Sequence, residues 1–280
     1  MKDAYRGATA LVTGASKGIG RAYALELARR GARVILLARS ESDLHRVAER
    51  IREQRNGPDA EVIAADLADP DGPGQVLRQL RERGLTVDLL LNNAAMGPVG
   101  PVLSRPLEPQ LLSVDLNVRG LLALTHGLGN QMAERGSGGI INVSSTAAFQ
   151  PMPYQATYAA TKAFVLSFTE ALAEELRGTG VRVMAAHPGA VATGFFDGTS
   201  ATIDPSAADT PATVAAGTLD DFARGRDVSY PGRAVNRAMT WIGRLLPRVA
   251  VVRVAGAVNR RLRLHEVVDV ARPDGATRGS

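Results

Sequence analysis

The chain has 280 residues, 45% of them apolar and 22% charged, with no cysteine and a formal net charge of +5. That composition predicts a globular core and excludes disulfides, thiolate nucleophiles and cysteine-ligated zinc or iron–sulfur centres. The positive charge is local: residues 224–265 hold ten arginines and one aspartate, and only three of the 33 basic residues are lysine (Lys2, Lys17 and Lys162).

The first residues lack the charged start, apolar run and cleavage site of a secretory leader. No stretch reaches the roughly 18 apolar residues of a membrane span, so a cytoplasmic protein is expected. The run ATALVT reads as a strand, followed by a glycine turn and a helix over 18–30 that Gly31 is placed to cap. ARVILLAR reads as a second strand. In the helix after it, Ser40 and Asp43 resemble a capping box, and Leu44, Val47, Ala48 and Ile51 mark the inner face. Strands AEVIAAD, VDLLLN, GIINVSS and VRVMAAH then alternate with helices near 72–83, within 107–135 and within 154–178. The strands are near-continuous Val/Ile/Leu/Ala runs, as parallel strands covered on both faces require. The predicted fold is α/β, a doubly wound parallel sheet of Rossmann type with helices on both faces, in a single domain over 1–232. The stretch 194–211, rich in Gly, Ser, Thr, Asp and Pro, reads as a mobile loop that closes over a substrate.

A basic helical extension with a flexible tail is expected over 233–280. Pro247 should divide 233–263 into two helices. In the first, Arg233, Arg237 and Arg244 share one face, while Ala238, Trp241, Ile242 and Leu245 lie opposite. Packing on its own domain or on another subunit, and a peripheral membrane contact, are both open readings of this segment. Nucleic-acid binding is not expected, because no aromatic interleaving or recognition motif accompanies the charge.

Within TGASKGIG (13–20), Gly14-x-Ser16-x-Gly18 has the form of a nucleophile elbow, but His45, His126, His187 and His265 offer no convincing triad partner. In the better reading, Gly14, Gly18 and Gly20 make a tight turn that lets a helix N-terminus face a pyrophosphate, with Ser16 a donor on the phosphate side. The second strand ends in Ala38-Arg39-Ser40, with no carboxylate to hold ribose hydroxyls. Arg39 and Lys17 can instead clamp a phosphate, which predicts NADP.

Thr13-Gly14-x-x-x-Gly18-Ile19-Gly20 resembles the cofactor motif of the short-chain dehydrogenase/reductase family. Further motifs agree in order and spacing over residues 8–195: Asn92-Asn93-Ala94-Ala95, with alanine where the family usually has glycine, then Asn117, Ser145, Tyr158-x-x-x-Lys162, and Pro188-Gly189 with Thr193. The resemblance implies that Tyr158 donates a proton to a carbonyl oxygen, or accepts one in reverse, and that Ser145 hydrogen-bonds the same oxygen. Asn117 would hold a water linking Lys162 to solvent. It also implies that Asp66 and Leu67 meet the adenine, that Asn93, Ala94 and Ala95 border the cofactor, and that Pro188, Gly189, Val191 and Thr193 position the nicotinamide. A homodimer or homotetramer paired through the two long helices follows from the same likeness.

The four-residue spacing puts Tyr158 and Lys162 on one helix face, where the ammonium is expected to lower the phenol's pKa. A compact ammonium also suits the cofactor ribose better than a guanidinium. Met96, Val99, Ala147, Tyr154, Phe195 and Phe196 are the expected pocket contributors and offer little charge. The expected substrate is therefore an apolar ketone, aldehyde or the corresponding alcohol. An acyl-thioester ketoreductase and, from another class, a non-catalytic dinucleotide-sensing protein are the alternatives. No metal is implied.

Overall fold

The computed structural model describes residues 4–55, 60–202 and 204–270, with the side chains at 55, 205, 239 and 242–245 left aside. Seven parallel strands form one sheet: β1 (Thr9–Thr13), β2 (Arg33–Ala38), β3 (Glu61–Ala64), β4 (Leu89–Asn92), β5 (Gly138–Val143), β6 (Val181–Ala186) and β7 (Val228–Ser229). Their order is β3-β2-β1-β4-β5-β6-β7. The order reverses between β1 and β4, where an open α/β sheet leaves a crevice at its carboxyl edge.

Alternation within each strand explains why the runs are apolar throughout. Val12, Val34, Leu36, Leu89, Leu91 and Ile141 feed the core on one face, with Tyr23, Leu27, Leu44 and Phe222. Leu11, Ile35, Leu37, Leu90 and Ile140 feed the other, with Val76, Leu124, Leu128 and Met132. Successive side chains point to opposite faces, so a sheet covered on both sides needs an apolar residue at every position.

The helices are α1 (Gly18–Arg29), α2 (Glu41–Arg55), α3 (Gly72–Glu82), α4 (Leu107–Val114), α5 (Leu121–Arg135), α6 (Ala156–Glu175), α7 (Pro211–Ala223), α8 (Ala234–Leu245) and α9 (Arg248–Arg261). Gly31 follows α1 at φ +101°, a conformation that costs glycine little and others more. The expected helix within 107–135 is interrupted by a π-helical turn over Asp115–Gly120 that joins α4 to α5. Pro247 separates α8 from α9, as expected.

Three features go beyond what the sequence indicates. The short seventh strand was not foreseen, because two residues, Val228 and Ser229, carry no periodicity to read. The 194–211 stretch contains single helical turns at Gly194–Phe196 and Pro205–Ala207, and Val191 bridges Asp209. On α8, Thr240 is buried and Asn236 half-buried, whereas Ala238 and Trp241 are exposed. Asn236 donates to the Asp209 carboxylate, which anchors the start of α8 to the loop before α7. The side chains of Ile242, Arg244 and Leu245, and the tail 271–280, lie outside the described residues. Among the described residues, no helix is long and apolar enough to cross a membrane.

Candidate active site

β1 delivers the chain into a turn with Gly14 at φ +65° and Gly18 at φ +56°. Those angles disfavour a side chain, and so does space: a Cβ on Gly14 would stand 2.9 Å from the Ala94 Cα, and one on Gly20 2.1 Å from the Gly14 carbonyl oxygen. Thr13 Oγ1 accepts the Asn93 and Ala94 amides at 2.9 and 2.8 Å, and Asn93 Nδ2 donates to the Thr13 carbonyl at 3.0 Å. These bonds stitch together the ends of β1 and β4, and Ala95 lies half-buried in the same loop. The start of α1 therefore opens onto the crevice as an anion-binding terminus. Thr193 closes over the turn, its Cγ2 3.4 Å from where a Gly18 Cβ would be. Pro188 approaches from β6, its carbonyl accepting the Thr146 amide at 3.0 Å. Residues from both ends of the motif series thus converge on a cradle that fits a dinucleotide.

At the other end of the cradle Arg39 stands after β2, 65% exposed, with Nη1 3.7 Å from Asp66 Oδ2. The other Asp66 oxygen accepts the Ala68 amide at 2.9 Å, and Leu67 is buried beside it. Beside the glycine turn lies a hollow of about 220 Å³ lined by Ser16, Lys17, Arg21, Arg46, Arg50, Val47 and Asp43, the last paired with Arg46. Sequence reasoning named Lys17 and Arg39. It missed the arginines of α1 and α2, which join them only because the two helices are neighbours.

Ser145 follows β5 and caps the turn Thr146–Phe149, its Oγ accepting the Ala147 amide at 3.1 Å. Tyr158 and Lys162 share one face of α6. Lys162 is 3% exposed, and its Nζ donates to the Val143 carbonyl at 2.8 Å while lying 5.9 Å from the Tyr158 ring centre. The expected lowering of the phenol pKa is not found. Burial raises it, and the Ser145 hydroxyl opposes that only in part. Burial also pushes Lys162 down to about 7. The physical reason is that the ammonium is aimed at the backbone of β5 and both groups have lost their water, which penalises either charge.

Asn117, buried in the π-helical turn, uses its whole amide on protein. Oδ1 accepts the Met96 amide at 3.0 Å, and Nδ2 donates to the Met96 carbonyl at 2.8 Å and Thr161 Oγ1 at 2.9 Å. Its side chain therefore fixes the loop after β4 against α6. Sequence reasoning also overlooked a buried amide ladder beneath the site. Asn92 Nδ2 donates to Thr125 Oγ1 and Asn142 Oδ1, both at 2.9 Å, and Asn142 Nδ2 donates to Thr169 Oγ1 at 3.0 Å. Polar residues ending apolar strands were the available signal. Behind Ser145, His187 is fully buried between Phe149 and Tyr230, with ring centres 4.9 and 5.2 Å away, and neither ring nitrogen has a hydrogen-bond partner. Burial pushes it down to about 4.

A short chain dehydrogenase family model matches residues 8–204. The chain belongs to this family. It is 38% identical to a short chain dehydrogenase of Pseudocercospora fijiensis, over 66% of this chain and 60% of that protein's length. It is 32% identical to the very-long-chain 3-oxoacyl-CoA reductase of Anas platyrhynchos, over 92% of this chain and 81% of the relative. A solved short-chain dehydrogenase from Sphingobium yanoikuyae in complex with NADPH superimposes with a TM-score of 0.73 at 30% identity, covering 96% of this chain and 98% of the other. The chain is accordingly an oxidoreductase of a family that uses a nicotinamide cofactor.

In this short-chain dehydrogenase the crevice wall is apolar. The Phe195 ring sits 5.2 Å from that of Tyr158 and 5.3 Å from that of Phe196. Met96 and Ala147 are half-buried nearby in sequence to the site loops. Val99, Ala201, Leu264 and Val267 form a small buried cluster, with Tyr154 and Phe196 packed on it. The chain after α9 was not expected here. Ser200 N donates to the Val268 carbonyl at 3.0 Å, Val270 N to that of Gly198 at 3.1 Å, and Arg105 pairs with Asp269. The C-terminal segment is thus strapped across the 194–201 loop.

Proposed function

We propose that this short-chain dehydrogenase is an NADP-dependent carbonyl reductase or alcohol dehydrogenase acting on an apolar ketone, aldehyde or the corresponding alcohol. The observation that carries the reading is the convergence of Ser145, Tyr158 and Lys162 beside an aromatic wall at the mouth of the glycine cradle. A bound nicotinamide supplies or accepts the hydride. Tyr158, held protonated at neutral pH by burial, donates its proton to the carbonyl oxygen, and Ser145 stabilises the charge that develops there. Lys162, near 7, exchanges a proton close to neutrality and restores Tyr158 after each turnover. Asn117 keeps the loop carrying Met96 in register with α6.

NADP is supported by Arg39, Lys17 and the arginine-lined hollow, by the lack of a carboxylate at the end of β2, and by the relative that binds NADPH. Asp66 and Leu67 would meet the adenine, and Pro188, Gly189, Val191 and Thr193 the nicotinamide. Exposed Leu107, Leu111, Val114, Leu122 and Phe164 on α4–α6 support pairing of copies through those helices. A second reading, reduction of a 3-oxoacyl thioester, is favoured by the Anas platyrhynchos relative, which matches nearly the whole chain. Following NADPH and NADH consumption across ketones, aldehydes and thioesters tests both. The expected result is turnover of at least one apolar member with NADPH preferred. Binding of NADPH with no turnover of any member would favour the dinucleotide-sensing alternative.

A further inference from the structure

We propose that α8 and α9 form a docking face for an anionic lipid bilayer. Val235 and Trp241 on α8, Leu246 and Val249 at the turn, and Val254, Val258 and Leu262 on α9 are all between 47% and 63% exposed. The last three recur every four residues, so they form one ridge along α9. Val251, in line with the ridge at its N-terminal end, is buried, and so are Gly256 and Asn259 on another side of α9, where Asn259 Nδ2 donates to the Pro153 carbonyl at 2.7 Å.

Charge decides what covers the ridge. The ten arginines and one aspartate of 224–265 leave 23 basic and 27 acidic side chains in the rest of the chain, so this segment alone is strongly cationic. Arg233, Arg224 and Arg226 are matched by Asp209 and Asp221, and Arg263 by Glu266. Among the described residues Arg248, Arg253, Arg260 and Arg261 are exposed and form no ion pair. A second copy of the chain seated on this face by a twofold axis would set those arginines against themselves. A nucleic acid would use the cations and leave the apolar ridge in water. An anionic bilayer takes both, with the ridge in the acyl boundary and Arg248 and Arg261, which flank it on α9, at the headgroups. Because α9 runs into the strap over the 194–201 loop, docking would set the substrate mouth beside the membrane. That consequence alone rests on the apolar-substrate reading.

Trp241 is the single tryptophan of the chain and so reports on this face directly. The full chain, titrated with phosphatidylcholine vesicles containing increasing phosphatidylglycerol, is expected to co-sediment and to shift its emission to shorter wavelength as the anionic fraction rises. Added salt should reverse both changes. Arg261→Ser should weaken partitioning about fivefold. Val258→Asp should abolish it without altering the thermal unfolding curve, since Val258 is exposed. Equal binding to neutral and anionic vesicles, no binding to either, or wild-type binding by Val258→Asp would overturn the proposal. So would a change in oligomeric size caused by Val258→Asp without any vesicle binding. None of these readouts involves turnover, so they stand whether or not the carbonyl-reductase reading does.

Discussion

Replacing Lys162 by methionine gives a quantitative test of how the site is desolvated. A lysine moved from its ordinary 10.5 to about 7 by burial is a base whose folded-state pKa is depressed. Between those values the unfolded chain binds the proton that the folded chain has shed, so the wild type gains stability as pH rises from 7 toward 10.5 and carries the full penalty below 7. At ~1.4 kcal/mol per pH unit, with the folded group half protonated at pH 7, the wild type should gain about 2 kcal/mol between pH 7 and 9 from this group. Lys162→Met removes the slope. It also leaves the Val143 carbonyl without its donor, which costs roughly 1–3 kcal/mol at every pH. The variant should therefore exceed the wild type at pH 7 and lose that advantage by pH 9, where the two should be about equally stable. Urea unfolding of the cofactor-free proteins across that range measures the difference, provided that m is unchanged. Parallel stability profiles for the two proteins would refute the argument that Lys162 sits desolvated against β5.

Three further outcomes follow from other parts of the site. His187, depressed to about 4 with unpartnered nitrogens, should make the wild type lose stability as pH falls from 6.5 to 4, and His187→Phe should remove most of that loss in an acid-unfolding series. Arg39→Asp should raise KM for NADPH by about 10–100-fold and leave KM for NADH little changed, read from initial rates with each cofactor. Gly20→Val should abolish NADPH binding in a fluorescence titration, because its Cβ would stand 2.1 Å from the Gly14 carbonyl oxygen.

The sheet was legible because a strand buried on both faces has to be apolar at every position, and the glycine turn because Gly14, Gly18 and Gly20 have no substitute there. The Tyr158–Lys162 face followed from helical spacing alone. Direction was not legible. Nothing in the spacing tells that the Lys162 ammonium turns to the Val143 carbonyl, or that the Asn117 amide is used up on Met96 and Thr161, because those partners come from other strands and loops. The strap over the 194–201 loop was missed for the same reason: its contacts join residues about 70 apart, and neither segment is periodic. On α8 the helical pattern was legible but not which side docks, because the Asp209 carboxylate that receives Asn236 comes from a distant loop.

The central claim is that the Tyr158 hydroxyl passes a proton to a carbonyl oxygen held beside Ser145. Single-turnover reduction of the best substrate by Tyr158→Phe, with NADPH affinity measured in parallel, tests it most directly. The account predicts a rate lower by about 10²–10⁴-fold with the NADPH dissociation constant unchanged. A variant that binds NADPH normally and reduces the carbonyl at close to the wild-type rate would contradict it.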